Sequence, residues 1–257
     1  MRITADYHTH TVYSRHNHGK GSIRDNAMAA YKKGLRTVAI SDHGPGHYIY
    51  GVKRELLPHI RKEIDAINEE MRDKDFRVLL GVEANVISYK GDWDLDDRLI
   101  ELTDIRAAGF HYGVHMKGLS DTLHFFLLNP LARFIPPLRR YMRRKNTDAL
   151  IALIQKYPIT FLSHPGEKAE VEIDRLAKAC AKEDVWLEIN ASHEQLDIES
   201  IKTAMQVAGA KFVINSDAHR PETIGEVEAG IVRAKRAGLP ADRIVNAVEQ
   251  EEVCKSS

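Results

Sequence analysis

At 257 residues, with 43% hydrophobic and 29% charged side chains, the chain carries enough apolar material for one α/β barrel or two small domains. Its 37 Lys plus Arg balance its 37 Asp plus Glu, which excludes a global electrostatic drive toward nucleic acid or acidic lipid and leaves anion binding to local sites. No run approaches the roughly 20 apolar residues that span a bilayer, so no membrane partner is expected, and two cysteines, Cys180 and Cys254, do not make a disulfide framework.

The first apolar run, 2–7, leads directly into His8 and His10, with no signal-peptide pattern ahead of it, so a cytoplasmic location is expected. A helical period over 22–33 follows, opened by Ser22 with Asp25 three residues on and stopped at Gly34. The run 37–41 leads into Asp42 and His43, and the segment 53–72 carries one apolar stripe through Leu56, Ile60, Ile64, Ile67 and Met71. Next, 78–82 leads into Glu83, a short helix covers 95–103, and 105–110 leads into His111. Helices at 146–157, 171–183, 197–208 and 222–237 alternate with runs that end at His164, at Asn190, and at Asp217 and His219. Strand and helix alternate throughout, which predicts a parallel sheet closed into a slightly irregular barrel over 1–250, followed by a tail at 251–257.

One stretch breaks the rhythm. Residues 115–145 are too long for a simple connection and contain Asn129-Pro130, Pro136-Pro137, Arg133, Arg139, Arg140, Arg143, Arg144 and Lys145. This Arg-rich insertion follows the strand that ends at His111, so it is expected to overhang the rim as a lid or a solvated basic face.

The strand ends carry the chemistry. His8 and His10 lie two apart and can point to one side of a strand; Asp217 and His219 repeat that spacing on the last strand. Imidazole and carboxylate without cysteine suit Zn, Mn or Fe in an open site, and Glu83 can bridge two ions through its two oxygens. A lone His59 or His124 carries no such expectation, whereas His8, His10, His43, Glu83, His111, His164, Asp217 and His219 occupy equivalent positions on successive strands.

The series 6–11 (Asp-Tyr-His-Thr-His-Thr), 41–45 (Ser-Asp-His-Gly-Pro), 81–85 (Gly-Val-Glu-Ala-Asn), 108–111 (Ala-Gly-Phe-His), 163–166 (Ser-His-Pro-Gly) and 216–219 (Ser-Asp-Ala-His) resembles the motifs of the PHP (polymerase and histidinol phosphatase) superfamily, in the family's order. It is similar in detail to the stand-alone bacterial PHP phosphatases. The resemblance implies a distorted seven-stranded TIM-like (β/α)7 barrel and three divalent ions. His8, His10, Glu83 and Asp217 would hold the first ion, Glu83, His111 and His164 the second, and His16, His43 and His219 the third. His16 is preferred over its neighbour His18 because the family places this ligand a few residues past the His-x-His pair.

Such a centre ionises a water and holds phosphoryl oxygens, which predicts a metal-dependent phosphoesterase acting on a small phosphomonoester, with Glu83 and Asp217 as its catalytic carboxylates. Arg15, Arg220 and His115 are the candidate substrate contacts, the arginines because a guanidinium fork matches phosphate. The alternatives are a phosphodiesterase or 3′-end nuclease using the basic insertion on nucleic acid, and a non-catalytic metal-stabilised interaction module. The segment 108–111 departs from the Gly-Ser-x-His form of histidinol phosphatases, which leaves the substrate open.

Overall fold

Each apolar run that the sequence marks becomes a strand of one cylinder in the computed structural model, which describes residues 1–249; Cys254 and the expected tail lie outside them. A short strand β1 (Arg2–Ile3) precedes the sheet and pairs antiparallel with β9 (Ala247–Val248). The seven parallel strands are β2 (Ala5–Thr9), β3 (Thr37–Ile40), β4 (Arg77–Asn85), β5 (Ile105–Gly109), β6 (Phe161–Leu162), β7 (Trp186–Asn190) and β8 (Lys211–Asn215), hydrogen-bonded in that order. The seam between β8 and β2 is joined by a bridge between Thr9 and Ala218, where His10 N–H donates to Ala218 at 2.7 Å and Ala218 N–H donates to His8 at 3.2 Å.

Two apolar layers follow from the period of two in the strands. Ala39, Ile105, Ala107, Phe161 and Val213 fill the barrel interior with Tyr7, Leu79 and Trp186, forming a floor. The outward positions, Val38, Val78, Leu80, Leu187 and Ile214 among them, pack against the helices. Above the floor the interior turns polar, which is where the strand-end side chains gather.

The helices are α1 (Ile23–Lys32), α2 (Leu57–Glu70), α3 (Asp97–Leu102), α4 (Leu119–Leu123), α5 (Asn129–Leu131), α6 (Pro136–Lys156), α7 (Ile173–Lys182), α8 (Ile198–Met205) and α9 (Glu228–Ala237). The capping box expected at Ser22 is present: Ser22 Oγ accepts from Asp25 N–H, and Asp25 accepts from Ser22 N–H, each at 3.0 Å.

Two expectations are corrected. The helix expected at 146–157 begins at Pro136, because prolines in a first turn forfeit no intrahelical bond. The extra material is therefore 115–135, while Arg139 to Lys145 belong to a barrel helix whose inner face buries Met142, Leu150 and Leu153. The helix expected at 222–237 is instead a 3-10 turn (Pro221–Thr223) and α9, separated at Gly225, whose φ of +71° interrupts a right-handed helix.

Candidate metal centre

Glu83 ends in the middle of the barrel mouth, buried, with its carboxylate surrounded by imidazoles. Its Oε1 lies 2.9 Å from Nε2 of both His111 and His164 and 3.3 Å from His8 Nε2; its Oε2 lies 2.8 Å from His43 Nδ1. On the far side of His8 and His10, Asp217 Oδ1 is 3.4 Å from His8 Nε2 and 3.2 Å from His10 Nε2. Ligand atoms of His8, His10 and Asp217 lie within 4.8 Å of one another, as do those of His43, Glu83 and His111 and those of His10, His43 and His219.

Local backbone aims these groups. Asp217 and His164 both have positive φ, +56° and +29°, a conformation non-glycine residues adopt at a cost of order 1 kcal/mol, tolerated where the surroundings over-determine it. The loop after β2 is gathered by Asp42, which accepts from Thr11 N–H at 2.8 Å and Thr11 Oγ1–H at 2.6 Å as well as from Ser14 Oγ–H.

His16 is not among the converging side chains. It is exposed, and His16 and Asn17 take consecutive left-handed conformations (φ +57° and +58°), a turn that carries His18 inward instead. His18 Nε2 lies 3.2 Å from His43 Nε2 and 2.8 Å from His219 Nε2. Gly19 permits this, because a Cβ there would fall on the backbone of Thr11. The candidate of the third group is therefore His18, in place of the expected His16.

The expected substrate contacts divide. Arg15 is committed elsewhere: its Nε donates to the Gly51 carbonyl at 2.7 Å and its Nη2 to those of His47 and Tyr48 at 2.9 Å, so it pins the 47–51 loop. His115 is exposed and packs against Tyr48, ring centroids 5.0 Å apart, outside the cluster. Arg220 is exposed and shares a cleft of about 720 Å³ with Asp217, His219 and Ser192.

Three groups absent from the sequence reading complete the centre. Glu188 is buried inside the barrel, 2.8 Å from His8 Nδ1, and accepts from Asn215 Nδ2 at 2.9 Å and His164 N–H at 2.7 Å. His193 Nε2 lies 3.4 Å from Asp217 Oδ2, which also accepts from Asn190 Nδ2 at 3.1 Å. His47 is buried and stacks on His43 at 4.9 Å.

The electrostatics call for cations. Burial alone would raise Glu83 and Asp217, but the surrounding histidines hold both carboxyls well below the usual carboxylate range. Burial disfavours a charged His8, yet Asp217, Glu188 and Glu83 outweigh it and hold that imidazole well above its ordinary value. Burial, with neighbouring imidazoles, pushes His10 well below its ordinary value and His18 down to about 4; burial and nearby imidazoles likewise lower His111 to about 4, against the attraction of Glu83. His219 Nδ1 faces the Asp217 carbonyl at 2.8 Å, so Nδ1 is its donor and Nε2 is the ring nitrogen turned to His18.

His8 Nε2, His10 Nε2, His43 Nδ1 and Glu83 Oε2 are buried without a hydrogen-bond partner, although His43 Nδ1 and Glu83 Oε2 are only 2.8 Å apart. Close, unpartnered ligand atoms in a buried pocket fit divalent ions, and the all-nitrogen-and-oxygen donor set suits Zn, Mn or Fe.

The PHP domain family model matches residues 6–192, well over half of the chain. The chain belongs to the PHP domain family. Among curated relatives, the "Probable phosphatase" of Shewanella piezotolerans is 29% identical over 267 residues, covering 99% of this chain and 93% of the relative. The "Probable phosphatase YcdX" of Escherichia coli is 29% identical over 254 residues, covering 94% and 89% respectively. The crystal structure of histidinol phosphate phosphatase from Lactococcus lactis, complexed with Zn, L-histidinol and phosphate, superposes with a TM-score of 0.65 at 17% identity, covering 93% of this chain and 95% of that one. At that identity the likeness carries the fold: this PHP chain is a distorted TIM-like barrel of seven parallel strands.

Proposed function

We propose that this PHP protein is a metal-dependent phosphomonoesterase acting on a small phosphorylated molecule. The observation that carries the reading is Glu83: four imidazoles lie within 3.3 Å of its carboxylate, in a pocket where His8 Nε2, His10 Nε2, His43 Nδ1 and Glu83 Oε2 have no hydrogen-bond partner. The family membership and the phosphatase names of the relatives support it.

Three groups of residues would hold divalent ions: His8, His10, Glu83 and Asp217; Glu83, His111 and His164; and His18, His43 and His219. When bound, such ions supply an ionised water at neutral pH and neutralise charge on phosphoryl oxygens. The chain's own residues prepare that chemistry. Glu188 lies against His8 Nδ1, which as donor turns Nε2 to the pocket, where it must be unprotonated to hold an ion. Asn190 and His193 hold the outer oxygen of Asp217, leaving Oδ1 to the interior. Arg220, exposed in the cleft beside His219, is the candidate phosphate contact.

The test is metal content measured alongside hydrolysis of a panel of phosphomonoesters, diesters and oligonucleotides. Monoester hydrolysis that chelation abolishes and Zn, Mn or Fe restores is the expected result. Hydrolysis indifferent to chelator, or oligonucleotide cleavage faster than that of every monoester, would overturn the reading.

A further inference from the structure

The segment between β5 and α6 turns its apolar side to solvent. Leu119, Leu123, Phe126, Leu127, Leu131 and Phe134 recur at three- and four-residue spacing and all are exposed, Leu119 at 92%, Phe134 at 81% and Leu127 at 56%. The opposite side is already in use. Phe125 is fully buried against Phe110 and Tyr112, at ring distances of 5.4 and 5.3 Å, and Asn129 is bonded to Asn146 at 3.0 Å and to the Lys168 carbonyl at 2.9 Å. The leucines are therefore held outward by a packed inner face. A contiguous apolar strip of this kind on a soluble protein marks an interaction surface.

Its flank is basic. No acidic residue occurs between Asp121 and Asp148, an interval that holds Arg133, Arg139, Arg140, Arg143, Arg144 and Lys145 on a chain whose net charge is zero. Arg139 is paired with Glu170 at 2.6 Å and Arg143 turns to the Val171 carbonyl at 3.3 Å, whereas Arg133 and Arg140 are exposed without a carboxylate partner among the described residues. His124 and the exposed Tyr141 meet at 3.1 Å, which fastens the apolar segment to the basic start of α6.

We propose that this face docks peripherally on an anionic lipid surface. The apolar segment would lie in the interface plane, its leucines and Phe134 among the acyl chains and Arg133 and Arg140 on the lipid phosphates. No helix among the described residues is long and apolar enough to cross a membrane. The expectation of no membrane partner rests on the want of a spanning segment and on a zero net charge; an interfacial strip needs no span, and a local basic interval supplies what the net charge does not. A second copy of the chain is the poorer occupant: a two-fold contact through this patch would bring two copies of the basic interval 122–147, which holds no acid, into one interface. Because the segment follows His111 and Tyr112 on the rim, docking would open the barrel mouth beside the lipid surface.

The experiment is flotation of the metal-loaded full chain with vesicles of phosphatidylcholine alone or mixed with phosphatidylglycerol, at low and high salt. Recovery with the anionic vesicles only, weakened by salt, is expected. The double variants Leu127→Asp with Phe134→Asp, and Arg133→Glu with Arg140→Glu, should each lower it by about tenfold or more, with melting and soluble phosphomonoester hydrolysis unchanged. Absent recovery, equal recovery on neutral vesicles, or recovery indifferent to both variants would overturn the proposal. A dimer that the Leu127→Asp, Phe134→Asp protein no longer forms, with no vesicle binding by the parent, would assign the face to a second copy.

Discussion

The carboxylate of Glu188 sits 2.8 Å from His8 Nδ1, beneath the ring whose Nε2 faces Glu83 and Asp217. A buried carboxylate behind a ligating imidazole fixes the tautomer and makes the facing nitrogen more basic. Replacing Glu188 with Gln keeps the shape and the bond to Asn215 or His164 while removing the charge. Metal affinity and turnover should fall by roughly 10- to 100-fold with the melting profile retained, read by metal titration of the stripped protein. Unchanged affinity would show that His8 needs no such partner.

Glu83→Gln should be the more severe change, since Glu83 alone faces both His111 with His164 and His8 with His43. A loss of activity of at least about 100-fold is expected, together with less metal per chain. Full turnover in a variant that retains its metal would exclude a shared role for this carboxylate.

Histidines 16 and 18 separate by one measurement. His18→Ala should cost one ion per chain by elemental analysis, whereas His16→Ala, at an exposed turn, should leave the content at the parent level. The opposite pattern would restore His16 to the centre.

The metal-free protein should lose stability as pH falls below neutral. His18 and His111 are held down to about 4, so the unfolded chain takes up their protons near pH 6.5 while the folded chain does not until about 4. Stability is thus present above 6.5 and drains between 6.5 and 4; His111 alone corresponds to on the order of 3 kcal/mol. His8 and His164, raised in the fold, lose their contribution only as pH rises, so they do not offset this window. Urea midpoints of chelator-treated protein at pH 7 and pH 5 decide it, and equal midpoints would mean that these imidazoles are not dry in the metal-free state.

Much of the barrel was legible because each strand is an apolar run that stops at a polar ligand type, as at Val82-Glu83 or Ser163-His164. What escaped the sequence has specific physical causes. Pro136-Pro137 looks like a break but opens α6, since a first helical turn tolerates proline. Paired left-handed residues turn His18 rather than His16 toward His43 and His219, for which Asn17 was the sole local hint. Glu188 was hidden inside a strand; the signal was its spacing of two from Asn190, which puts both on one face of β7, pointing into the barrel. Arg15, adjacent to the histidines in sequence, spends its donors on loop carbonyls, a choice that only the path of residues 47–51 determines.

The seam bridge has one more implication. Thr9 lies between His8 and His10, and Ala218 between Asp217 and His219, so the two hydrogen bonds that close the cylinder also fix the distance between the first and last ligand pairs. During synthesis the chain can make β3 through β7 and still lack the two groups that join β2 to β8, because the partners of His8 and His10 emerge more than two hundred residues later. Filling of those two groups would then be a late event that reports a finished cylinder, and an ion held there would act as a rivet across a joint that backbone pairing leaves thin.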